Sequence, residues 1–72
     1  MSGELRIRFA DWLSEKEMKV AIGLIQTFAT TVHQDARLRT LTVAPNRGEL
    51  EMLKEYLAVW EADKALSWSD AD

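Results

Sequence analysis

Residues 14–34 read SEKEMKVAIGLIQTFATTVHQ, and the reading of this stretch decides the fold. Ser14 followed three residues later by Glu17 is the capping-box pattern, in which the serine hydroxyl accepts a first-turn amide and the glutamate reaches back. Leu13 and Met18 stand at staple positions around it. From there the spacing predicts a helix to about Gln34. At 100° per residue, Met18, Val20, Ala21, Ile22, Leu24, Ile25, Phe28, Ala29 and Val32 fill a continuous arc of about 200°. An arc that wide must be covered from two sides. The opposite face carries Lys16, Lys19, Gly23, Gln26, Thr30 and Gln34. Gly23 costs about 1 kcal/mol there against alanine, which either the close approach of another backbone justifies or the helix tolerates.

Upstream, Glu4-Leu5-Arg6-Ile7-Arg8-Phe9 alternates polar and apolar. That is a half-buried strand, with Leu5, Ile7 and Phe9 inward and Arg6 and Arg8 outward. Downstream, Thr40, Leu41, Thr42 and Val43 favour strand, and Pro45 pushes Ala44 to extended geometry, so a short second strand is expected within 37–44. Asn46-Arg47-Gly48-Glu49 then supplies an N-cap with an acid three residues on. A second helix follows from Arg47 to about Ala65, with a core stripe of Leu50, Leu53, Tyr56, Leu57 and Trp60. Met52, Val59 and Leu66, spaced by seven, form a separate seam on its far side. Residues 67–72 show no period and are expected to fray as an acidic tail of a single domain spanning 1–72.

With 72 residues and no cysteine, the chain has neither disulfides nor thiolate metal sites to reinforce a small core. A partner subunit is the remaining reinforcement. No apolar run approaches the roughly 18 residues of a membrane span, and the alternating, arginine-bearing start does not read as a signal peptide, so a cytoplasmic location is expected. The net charge of −3 is unevenly spread: residues 1–47 hold seven bases and five acids, residues 48–72 two bases and seven acids. So acidic a second half disfavours general nucleic-acid affinity and suits a protein partner.

Little here builds an enzyme. His33 is the one histidine, and near a helix C-terminus its positive form is simply favourable. Asp35, two residues on, would not face it on a helix, and no second histidine or cysteine completes a metal site. Ser14 is engaged as a cap, and Ser2, Ser67 and Ser69 lie in terminal segments. No glycine-rich loop cradles a phosphate. No catalytic residue, cofactor or metal is assigned.

Arg6 and Arg8 on a short basic strand, a helix, and Arg47-Gly48-Glu49-Leu50 opening a last helix resemble the ribbon-helix-helix repressors. That resemblance implies a dimeric regulator reading DNA with Arg6 and Arg8, although about twenty helical residues and the 37–45 segment intervene where that family turns directly. The strand–helix–strand–helix order and the acidic Trp60-Glu61-Ala62-Asp63 are also similar to small DNA-damage-inducible modulators of the RecA filament. That similarity implies DNA mimicry by Glu55, Glu61, Asp63, Asp70 and Asp72. In general character the small, acidic, tryptophan-rich chain looks like the accessory regulators and inhibitors of phages and mobile elements.

The expectation is an α+β strand–helix–(strand)–helix domain forming a two-fold homodimer through Leu5, Ile7, Phe9, Val20, Leu24 and Phe28. Its expected function is to bind and inhibit another protein, through Met52, Glu55, Val59, Asp63 and Leu66.

Overall fold

The computed structural model describes residues 3–71. Along the chain run β1 (Leu5–Phe9), α1 (Glu15–Phe28), β2 (Ala29–Asp35), β3 (Thr40–Pro45), α2 (Leu50–Ala62) and β4 (Leu66–Asp70). The strands form one sheet in the order β2-β3-β1-β4, with every neighbouring pair antiparallel. This is the split β-α-β-β-α-β arrangement of ferredoxin-like folds, an α+β architecture.

Alternation on β1 is as expected: Leu5, Ile7 and Phe9 are buried and Arg6 and Arg8 exposed. Opposite them on β3, Leu41 and Val43 are fully buried, and the helices add Met18, Ala21, Ile25, Leu53 and Leu57 to one core cluster. Both helices therefore cover the same sheet face, leaving the other face to solvent, as antiparallel sheets allow. The capping box of α1 forms, with Ser14 Oγ accepting the Glu17 amide at 3.1 Å.

The long helix does not. It stops at Phe28, and Ala29 swings directly into extended geometry with φ −150°. Thr30, Thr31 and Val32 fit the 100° spacing but are β-branched, and tertiary pairing with β3 lets their strand preference win. His33 consequently sits exposed on β2, opposite Thr42, rather than at a helix terminus. Ending early also narrows the arc needing cover, and Val20, Leu24 and Val32 stay exposed. Gly23 is exposed too, and a Cβ built there meets nothing within 4 Å, so no backbone approaches it.

The Asn46–Glu49 segment is a turn and not the expected cap. The Glu49 amide donates to the Asn46 carbonyl at 2.9 Å, and Gly48 takes φ 81°, the positive value a type II turn needs at its third residue. The Asn46 side chain accepts from Thr30 Oγ1, and Glu49 itself is the N-cap of α2 without a side-chain bond. After Ala62 the chain leaves the helix through a Schellman motif. The Ala65 amide bonds the Trp60 carbonyl, the Lys64 amide bonds that of Glu61, and Lys64 takes φ 60° where glycine is usual.

What was expected to fray is a strand. Leu66-Ser67-Trp68-Ser69-Asp70 pairs along all five residues of β1, with Leu66 buried against Phe9; Asp72 lies outside the described residues. With β3 on one side and β4 on the other, β1 is a central strand. Its edges cannot pair with a second subunit, and Leu5, Ile7 and Phe9 serve the chain's own core. No helix among the described residues is long and apolar enough to cross a membrane.

Candidate partner-binding surface

Phe28 is the last residue of α1, and its ring lies 6.3 Å from that of Tyr56 on α2. This contact identifies the flanks on which the two helices face each other. Because β1 and β3 are antiparallel, the helices returning over them are antiparallel too. Moving one turn along each helix from that contact, about 6 Å at 1.5 Å per residue, reaches Leu24 on α1 and Trp60 with Val59 on α2 at the same level.

At 100° per residue, Leu24 and Val20 share the Phe28 flank, and Met52 and Val59 share that of Tyr56. All four are exposed: Val20 54%, Leu24 45%, Met52 52% and Val59 64%. Along the line between the two helices, the α1–α2 trough, they are strung over about 18 Å in the order Met52, then Val59 level with Leu24, then Val20, with Phe28 and Tyr56 half-buried between Met52 and Val59. Beyond it, the outer bank of α1 carries Lys16 and Lys19, and that of α2 carries Glu51 and Glu55, all exposed. Asp63, also exposed, is the C-cap at the end of α2.

The expected seam is thus only partly assembled. Met52 and Val59 are joined by Val20 and Leu24, which sequence reasoning placed in a dimer contact instead. Leu66 is withdrawn into the core on β4, at 4% exposure, because the helix ends before it. What joined the two exposed pairs was a contact between helices, which spacing within either helix does not show.

In the floor, the Tyr56 hydroxyl is buried and makes no hydrogen bond of good geometry. Burial pushes its pKa above the usual tyrosine value, an effect the adjoining Trp60 side chain partly offsets. Tyr56 and Trp60 meet edge to face at 6.2 Å, which holds both rings in place.

Arg6 and Arg8 project from the uncovered sheet face, each between two hydroxyl residues: Thr42 and Ser69 beside Arg6, Thr40 and Ser67 beside Arg8. Two open clefts of ≈ 400 and ≈ 310 Å³ adjoin Arg8, one with Asp11, Glu61, Lys64 and Ser67, the other with Asp11, Arg37 and Thr40. Both mix charges of either sign and hold no histidine. A two-stranded ribbon is not available here. Four strands at about 4.8 Å spacing put the outer two about 14 Å apart, wider than the ≈ 12 Å major groove. Nor do the acids of the second half lie along one helix: Glu55 and Glu61 are on α2, whereas Asp70 is on β4.

His33 and the serines of β4 stand three strand spacings apart, about 14 Å, and Ser14 is held in its capping box, so among the described residues no serine meets the histidine; the hydroxyl opposite it is that of Thr42. Compared with protein families, curated proteins and solved structures, the chain matches none.

Proposed function

We propose that this chain is a non-enzymatic, cytoplasmic protein-binding module that inhibits its target by docking an amphipathic helix of that protein along the α1–α2 trough. One observation supports the reading: Val20, Leu24, Met52 and Val59 are four of the eight large apolar side chains exposed among the described residues, and the 100° spacing sets them in one line on the flanks where the two helices meet. Apolar anchors inside a charged rim are the usual anatomy of a protein interface, and methionine adapts to irregular partners. The banks state the chemistry of the occupant. Lys16 and Lys19 at the start of α1 and Glu51 and Glu55 at the start of α2 stand at opposite ends of the antiparallel pair, which favours a helix with an apolar stripe, acidic toward one end and basic toward the other. The accessory regulators of phages and mobile elements are the class this suits.

The test is Val59→Lys. At 64% exposure its replacement leaves the core untouched, so the melting temperature stays within a few degrees. The target retained by the wild-type chain from its host lysate is expected to be lost with Val59→Lys and kept with the Arg6→Ala/Arg8→Ala double variant. The opposite pattern would move the binding surface to the sheet face.

A further inference from the structure

The free edge of β4 has a hydrogen-bonding pattern that the rest of the sheet determines. Its register with β1 pairs Phe9 with Leu66, Ile7 with Trp68 and Leu5 with Asp70. On the same register line, the Ala10 amide bonds the Ala65 carbonyl at 2.8 Å, and the Ala71 amide bonds the Glu4 carbonyl at 2.9 Å. Antiparallel ladders alternate bonded and non-bonded pairs. The bonded pairs between these ends are therefore Arg8 with Ser67 and Arg6 with Ser69. Leu66, Trp68 and Asp70 turn their amides and carbonyls the other way, toward the edge that the strand order leaves unpaired.

Exposed edges are normally blunted by charges, proline or a bulge. The opposite edge has one: β2 slips register between Thr31 and His33. β4 has no slip and no proline, and its one charged residue is Asp70 at the end.

We propose that β4 pairs with β4 of a second copy of this chain, antiparallel and centred on Trp68, joining two sheets into one of eight strands. The register follows from the edge itself. Centred on Trp68, the two-fold axis sets Trp68 against its own copy and Leu66 against Asp70 of the other chain. All three outward residues then fall in bonded pairs, and every outward amide and carbonyl finds a partner. Moving the centre to Ser67 or Ser69 leaves outward groups without partners.

Side chains agree with that register. Asp70 opposes Leu66 and never another carboxylate. Ser67 opposes Ser69 of the copy in the closely spaced pairs, where hydroxyls bond across strands. The two half-buried Trp68 rings meet at the axis, on the helix side of the sheet. The arginines stay apart, in rows running Arg8, Ser67, Ser69, Arg6 across the junction. This contact leaves the α1–α2 trough free, so it stands or falls independently of the proposed docking there.

Asp70→Pro is the direct test. Asp70 makes no ladder bond to β1, so proline keeps the monomer's sheet and deletes an amide needed only between copies. In sedimentation from micromolar to millimolar concentration, the wild-type mass is expected to rise from 8.2 kDa to twice that. Asp70→Pro, with an unchanged thermal melt, is expected to weaken dimerisation by roughly tenfold or more, since two inter-chain bonds are lost. Should Asp70→Pro unfold, S67K/S69K decides: it sets like charges opposite each other across the axis and should be monomeric, whereas mixing it with S67E/S69E should restore a mixed dimer. A wild-type chain that stays at one chain mass at millimolar concentration overturns the proposal. So does a dimer that survives both Asp70→Pro and S67K/S69K.

Discussion

Replacing Arg39 tests how the fold is tied together. Arg39 ends the β2–β3 turn at φ 58°, a left-handed conformation that costs a non-glycine residue about 1–2 kcal/mol. Its guanidinium donates to the Ala10 carbonyl from Nε at 3.2 Å and from Nη2 at 2.8 Å, and also from Nη2 to the Leu13 carbonyl. Its own carbonyl accepts the Phe9 amide at 2.8 Å. One side chain thus pins the β1–α1 loop against the sheet. Alanine strips the charged donor from two carbonyls, and at about 1–2 kcal/mol for each the loss is roughly 2–4 kcal/mol. A core of this size supplies about 3–5 kcal/mol, so Arg39→Ala should leave the domain near its unfolding midpoint at room temperature. Tm should drop by roughly 10–30 °C, at about 4–8 °C per kcal/mol for a small domain. Arg39→Gly loses the same bonds but relieves the left-handed strain, so it should be the more stable of the two by up to about 1 kcal/mol. Urea unfolding followed by circular dichroism measures both. A change under about 0.5 kcal/mol in Arg39→Ala, which is surface-substitution size, would refute the pinning role. A glycine variant less stable than the alanine one would refute the strain argument.

Lys64 occupies the glycine position of a Schellman motif at φ 60°, so Lys64→Gly should raise stability by about 0.5–1 kcal/mol in a thermal melt; a lower Tm would mean the lysine side chain holds the corner. Tyr56 is the single tyrosine, and burial raises its pKa above 10.0. The folded chain therefore holds that proton more tightly than the unfolded chain. The associated stability is complete below pH 10 and is lost as pH rises through the folded pKa. Ultraviolet titration of the phenolate should give a midpoint above 10.0, and Tyr56→Phe should lose less stability than wild type in that alkaline range; a midpoint at or below 10.0 counts against the burial account. At neutral pH, Tyr56→Phe should be neutral or stabilising by up to about 1 kcal/mol, because the buried hydroxyl it removes makes no hydrogen bond of good geometry, the Trp60 side chain being its polar neighbour.

Where sequence reasoning erred, it erred on period and on partners. Thr30, Thr31 and Val32 met the helical spacing and the strand propensity at once, and the window was long enough for period to outvote composition. Residues 67–72 show no period once Leu66 is assigned to the helix seam; the alternation of Leu66 and Trp68 with Ser67 and Ser69 emerges only when α2 ends at Ala62 and Leu66 joins the strand. Asn46-Arg47-Gly48-Glu49 carries the residues of a cap and those of a turn. Only the Thr30 hydroxyl, reaching Asn46 from β2, shows how that asparagine is used.

By itself, the sequence determined what rests on neighbours along the chain. The inward and outward faces of β1, the capping box at Ser14, the buried stripe of Leu53 and Leu57, and the α+β class all follow from spacings of two, three and four residues. Local geometry repeats at those intervals and leaves its imprint in the order of residues. Tertiary structure decided what depends on pairing between distant segments: that α1 ends at Phe28, that β1 is central, that Leu66 is core, and that Phe28 meets Tyr56, which brings Leu24 level with Val59. These outcomes rest on hydrogen bonds and ring contacts between residues tens of positions apart. Several alternative partners would satisfy the same local pattern, and the choice among them is made only when the whole core closes.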